Sequence, residues 1–140
     1  MLAKDLMRRE VFTIRDEAPV EELIEVLVRE HIHGVPVLDG AGTLVGVVTQ
    51  QDIFFSSVTL SRESATGRRA TKESNRSLRV RDIMTSPAVF ATEDTDVGSL
   101  CRMMVRLRIH RVPIINENEV TGIVSSLDIC GALARGDYHP

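Results

Sequence analysis

The chain has 140 residues, 43% of them hydrophobic, with 17 basic against 20 acidic side chains and a formal charge of -3. That is enough apolar material for a compact core, and the charge balance excludes the overall basic field that would argue for nucleic acid. No apolar run approaches bilayer length and no secretory leader is recognisable, which predicts a soluble cytoplasmic protein without a membrane partner.

The first predicted element is a short helical turn, "AKDLM" at 3–7, followed by a brief extended segment, "VFTI" at 11–14. Asp16 and Pro19 are start signals for a helix in which Val20, Leu23, Ile24 and Leu27 recur on one face. "GVPVL" at 34–38 reads as a strand, with the proline in an early or edge position because it cannot donate to a ladder. "TLVGVVT" at 43–49 supplies the second strand of a hairpin, and a helix opens at "TQQDIFF". The glycines of "DGAGTLVG" lie inside that hairpin, whereas a dinucleotide fingerprint needs a strand-to-helix turn, so that reading is rejected. Residues 59–77 are rich in Ser, Thr and Arg and poor in apolar residues, which predicts a solvated, mobile linker.

Beyond the linker the elements return in order. "VRDIM" at 80–84 is a helical turn and "AVFA" at 88–91 is extended. A helix capped by Thr95 follows, with Val97, Leu100, Cys101 and Met104 on one face; then come strands "RVPII" (111–115) and "EVTGIVS" (119–125), and a helix opening at "SSLDICG". The recurrence holds residue by residue: His33, Val35 and Pro36 match His110, Val112 and Pro113 at an offset of 77. Gly46, Val48, Asp52 and Ile53 match Gly122, Val124, Asp128 and Ile129 at 76, one residue having been lost in the hairpin turn, where length changes cost little. The predicted organisation is a first repeat over 1–58, a linker over 59–77 and a second repeat over 78–140, with a mixed α/β fold. One repeat of about fifty residues would bury too little surface alone, so two copies are expected to pack together.

The polar recurrences are candidates for chemistry. Thr49 with Asp52, and Ser125 with Asp128, have the spacing of a capping box at a helix start. The same positions also suit a nucleotide: a helix N-terminus and a hydroxyl favour a phosphate, and an aspartate one turn on can accept two hydrogen bonds from a ribose diol. Both readings stand on the residues alone. His33 and His110 divide likewise between a residue bonding the last carbonyls of a helix and a phosphate ligand. Cys101 and Cys130 lack metal-ligand spacing and each repeat supplies one matching histidine, so no metal site is expected. Nor does any nucleophile stand beside a plausible base, and no catalytic residue is assigned.

Two copies of hydrophobic-His-x-Val-Pro-(Val/Ile), each followed by Gly-h-h-(Ser/Thr)-x-x-Asp and preceded by (Arg/Lys)-Asp-(Ile/Leu)-Met, resemble a tandem pair of CBS domains, named for cystathionine beta-synthase. The resemblance implies two β-α-β-β-α repeats packed sheet to sheet, a homodimer, and a regulatory module that requires no cofactor and acts on a partner protein. It also implies clefts for an adenosine nucleotide (AMP, ADP or ATP), with S-adenosylmethionine or an NAD-type molecule as alternatives. Carried across, Asp52 and Asp128 would take ribose hydroxyls, and Thr49 and Ser125 would approach ribose or phosphate. Phe12, Thr13, Val89 and Phe90 would wall the adenine. "IHRVP" at 109–113 resembles the His-Arg pairs of the gamma subunit of AMP-activated protein kinase, which implies a phosphate role for His110 and Arg111, with His33 as the counterpart of His110. Gly34 stands where the second repeat has Arg111, and glycine cannot replace an arginine fork. One preferred phosphate-bearing site is therefore expected, with a weaker or empty second one.

Overall fold

The computed structural model describes residues 1–65 and 78–139, and the side chains of all of these but 60–65. In chain order the elements are α1 (Ala3–Leu6), β1 (Ile14–Arg15), α2 (Val20–Arg29), β2 (Gly34–Leu38), β3 (Leu44–Thr49) and α3 (Gln50–Ala65). They are followed by α4 (Val80–Ile83), β4 (Ala91–Thr92), α5 (Val97–Leu107), β5 (Arg111–Asn116), β6 (Glu119–Ser125) and α6 (Ser126–Arg135). The strands form two three-stranded sheets, β1-β2-β3 and β4-β5-β6, each with a parallel first pair and an antiparallel hairpin. The mixed α/β class and the twofold repetition are as the sequence predicts.

The compact units do not follow the repeat boundaries. One consists of Met1–Val11 with Val89–Pro140, here the terminal unit; the other is Phe12–Ala88, the central unit. Each leading helix has joined the other repeat, and the backbone shows why. In the terminal unit Ala3 N–H donates to Thr95 O, Lys4 N–H to Glu93 O and Val97 N–H to Met1 O. In the central unit Val80 N–H donates to Ala18 O, Arg81 N–H to Asp16 O and Val20 N–H to Leu78 O. The aspartate of the (Arg/Lys)-Asp-hydrophobic-Met motif caps these short helices, Asp5 accepting from Leu2 N–H and Asp82 from Arg79 N–H, both at 2.8 Å. The methionine closes the contact: Met7 lies against Gly122, and Met84 against Gly46, where only a residue without a Cβ leaves room.

Each unit has its own core, laid where the pattern of one helix face meets alternate strand residues. In the central unit Leu23 and Leu27 pack with Val35, Val37, Val48 and Val80; in the terminal unit Leu100 and Met104 pack with Val112, Ile114, Val124 and Ile129. Cys101 packs against the terminal core and Cys130 is exposed.

Several local features differ from expectation. The N-cap of α5 is Asp96, accepting from Ser99 N–H, while the Thr95 hydroxyl accepts from Thr92 N–H. Pro19 is the N-cap of α2 and no side chain caps it. Phe12, Thr13, Val89 and Phe90 precede β1 and β4 rather than lying in them, so the short strands begin later than the apolar letters suggest. The helix α3 continues to Ala65, into the stretch read as a linker; Ser56 Oγ donates to Ile53 O and Thr59 Oγ1 to Phe55 O, so these hydroxyls are accommodated on the helix. The rest of the linker reading, 66–77, lies outside the described residues. Among those described, no helix is long and apolar enough to cross a membrane.

Candidate functional site

Both helices α2 and α5 end on a left-handed residue, His31 and Arg108 (φ 53° and 54°). Ile32 N–H then returns to Leu27 O and Ile109 N–H to Met104 O, closing the last turn. This closure sets His33 and His110 at the mouth of β2 and β5, past the helix end. Neither ring bonds a terminal helix carbonyl. The His33 Nδ1–H donates to Gln50 Oε1 at 3.1 Å, and His110 is exposed without a side-chain partner among the described residues. The shared structural duty of the two histidines is in the backbone, where His33 O accepts from Gln50 N–H and His110 O from Ser126 N–H, both at 2.9 Å. Each carbonyl thus takes the first amide of the following helix.

The terminal unit brings Arg111, Ser125 and Asp128 to one end of its sheet, beside His110. Arg111 opens β5 directly opposite Ser125, which closes β6 and caps α6. Ser125 and Asp128 form a complete capping box: Ser125 N–H and Oγ–H donate to Asp128 Oδ2 at 2.8 and 2.6 Å, and Asp128 N–H donates to Ser125 Oγ at 3.2 Å. Two of the amides at the start of α6, those of Ser126 and Asp128, are therefore already engaged. Val89 and Phe90 lead toward the same end, since Ala91 pairs in parallel with Ile114; Phe90 is half exposed.

Side-chain charge adds to what this end of the unit offers an anion. Arg111 is half-buried, and its guanidinium has no hydrogen bond or ion pair among the described residues. Burial lowers its pKa from the ordinary value, and a phosphate would restore what desolvation costs. A second arginine, absent from the sequence expectation, lies close by. Arg8 Nε–H donates to Asp128 Oδ1 at 2.8 Å, onto a carboxylate whose side chain is only 10% exposed. Burial alone would raise the Asp128 pKa; the hydrogen bonds from Ser125, then the hydrogen bond and charge of Arg8, outweigh it and hold the group below the ordinary carboxylate value. Sequence comparison carried a signal for Arg8, because at the offset of 77 it faces Thr85, the same kind of mismatch as Arg111 with Gly34.

The central unit gathers Thr49, Asp52 and His33 at the corresponding end, with Gly34 opposite Thr49 in the β2–β3 pairing. Thr49 N–H and Oγ1–H donate to Asp52 Oδ2 at 2.8 and 3.1 Å. Asp52 Oδ1 has no partner among the described residues. Phe12 packs on the central core and Thr13 is exposed, both leading into β1 beside β2. On this unit an open, mainly apolar groove of about 640 Å³ runs along α2 and the start of α3, lined by Ile24, Leu27, Val28, Ile32 and Ile53 with His31, His33 and Gln50. Among the described residues no group of three His, Cys, Asp or Glu side chains could hold a metal ion.

The family model described as "CBS domain" matches the chain twice, over residues 3–58 and 80–135. The chain is 29% identical over 128 residues to inosine-5'-monophosphate dehydrogenase of Methanocaldococcus jannaschii, covering 91% of this chain and only 22% of that protein. Among solved structures it is similar to the CBS domain pair of protein MJ0100 in complex with 5'-methylthioadenosine and S-adenosyl-L-methionine, with TM-score 0.74, 27% identity and coverage of 99% and 98% of the two chains. It shares its fold with CBSX2, crystallised with AMP, at TM-score 0.78 and 21% identity over 98% of each chain.

Proposed function

The chain belongs to the CBS-domain family, carrying that domain twice, and we propose that it is a regulatory module that binds an adenosine-containing nucleotide and thereby alters its interaction with a partner protein. The observation that carries this reading is Arg111: a half-buried guanidinium without a protein partner among the described residues, set opposite the Ser125–Asp128 turn. A half-buried cation left unpaired carries part of the desolvation cost, and a phosphate is a ligand that offsets it. Asp52 and Asp128 are the acceptors for ribose hydroxyls, Thr49 and Ser125 their neighbours, and His110 and His33 reach toward phosphate from the same ends of the sheets. Phe12, Thr13, Val89 and Phe90 line the adenine side. The MJ0100 pair, which holds two adenosine compounds in its crystal structure, supports the ligand class. No residue is assigned a catalytic role: the dehydrogenase relative matches over 22% of its length, so its activity does not pass to this chain.

Calorimetry with AMP, ADP, ATP and S-adenosylmethionine tests the reading. Binding of at least one is expected, and Arg111→Ala should weaken a phosphate-bearing ligand by on the order of tenfold or more while sparing adenosine itself. No heat with any of the four at millimolar concentration would reject it.

The apolar groove of the central unit, with Val28 68% exposed on its wall, favours a second feature: a homodimer whose partner copy covers that face. Sedimentation should show a dimer that Val28→Glu, at a site 68% exposed, converts to monomer. A wild-type monomer at micromolar concentration would dismiss it.

A further inference from the structure

A ribose-type diol bound to a carboxylate needs acceptor capacity that the protein has left open. At Asp52, Oδ2 is taken by Thr49 and Oδ1 is free among the described residues. At Asp128, Oδ2 is taken twice by Ser125 and Oδ1 gives one of its two acceptor positions to Arg8, which leaves a single position for the two hydroxyls of a diol. The units differ here through one residue on a shared scaffold. Arg8 exchanges both backbone hydrogen bonds with Ile123, at 2.9 and 3.0 Å, and Thr85 exchanges the same pair with Val47, at 2.9 and 3.1 Å. The backbone therefore launches a side chain from a fixed point beside the capping aspartate in each unit. In one unit that side chain is a guanidinium long enough to reach the carboxylate; in the other it is a threonine with no charge to offer.

We propose that Arg8 is an internal occupant of the Asp128 carboxylate, a specificity-determining residue that makes the two diol positions unequal. Asp52 takes a diol directly, whereas Asp128 takes one only after Arg8 has swung away. The Arg8 side chain is 73% exposed, so it can leave into solvent, and its pinned backbone keeps it within reach for return. This inference rests on the nucleotide-binding reading above and adds a residue to it.

The test exchanges the two side chains in the full chain and titrates each variant with AMP by calorimetry. Arg8→Thr copies the residue that the equivalent backbone bridge already carries, so the fold should accept it. It is expected to tighten the Asp128-dependent AMP site by on the order of tenfold, or to reveal that site where the wild type shows only the Asp52-dependent one. The gain should vanish in Arg8→Thr combined with Asp128→Asn. Conversely, Thr85→Arg should weaken the Asp52-dependent site by a similar factor. Wild-type binding of AMP with no gain in Arg8→Thr, or a gain that survives Asp128→Asn, would overturn the role of Arg8 and leave the nucleotide reading standing. Absence of AMP binding in the wild type and every variant would overturn both. Binding by Arg8→Thr alone would support both.

Discussion

The backbone bridges Arg8–Ile123 and Thr85–Val47 are alike in hydrogen bonding, and so are the short helices that deliver them, α1 and α4. What they carry to the sheet differs: an arginine that closes on a carboxylate in the terminal unit, a threonine that leaves the carboxylate half open in the central one. The second mismatch has the same sense, since Arg111 opens β5 where Gly34 opens β2. Both cations thus lie in one unit. The internal duplication has kept what the backbone requires, namely the glycines, methionines and capping aspartates, while the rim of each sheet has been free to diverge in charge. Two sites of one architecture need not bind the same ligand with the same strength.

The glycines offer the largest test of how alike the scaffolds are. A Cβ at Gly46 would lie 2.8 Å from the backbone oxygen of Thr85 as well as 2.7 Å from Met84 Sδ. At Gly122 the nearest atoms all belong to the Met7 side chain. A methionine repacks; a backbone carbonyl held in a bridge does not. Gly46→Ala should therefore cost about 1–3 kcal/mol, the range for overpacking a rigid site, and Gly122→Ala measurably less. Urea midpoints of the two variants decide it, and a larger loss for Gly122→Ala would show that the terminal bridge is the stiffer one.

How far the sequence speaks for itself divides along the same line. Periodicity announced α2, α5 and both hairpins, because their apolar residues face one side and nothing else accounts for the spacing. The capping boxes were legible as motifs, yet whether Asp128 is free depended on Arg8, 120 residues away in the chain. No local pattern reports such a contact; the mismatch with Thr85 hints at it only once the repeats are aligned. The exchange of α1 and α4 between repeats was hidden for a related reason. The matched segments look like contiguous domains, and only the hydrogen bonds from Ala3 to Thr95 and from Val80 to Ala18 show which sheet each helix joins. The extent of α3 was not legible because polar composition does not by itself mean loss of helix: hydroxyls such as those of Ser56 and Thr59 find acceptors on the helix's own carbonyls.

The smallest expected effect sharpens the comparison at the carboxylate itself. Asp128 is held below its ordinary pKa of 3.8 in the folded chain, against the opposing pull of burial, by Ser125 and Arg8. A depressed carboxylate pKa stabilises the fold at every pH above the unfolded value, and that stabilisation is lost as pH falls through the folded value. Removing Arg8 takes away one of the two supports and leaves burial in place, so Arg8→Thr should move the Asp128 titration upward in carboxyl-resolved NMR. Because Arg8 is largely exposed, the stability lost at neutral pH should be about 1 kcal/mol or less. Thermal melts of wild type and variant should differ near pH 7 and converge as pH falls through the folded Asp128 pKa, where the carboxylate becomes protonated in both. A gap that persists undiminished at low pH would mean that Arg8 acts through packing, and the charge contrast between the two units would then lose one of its two supports.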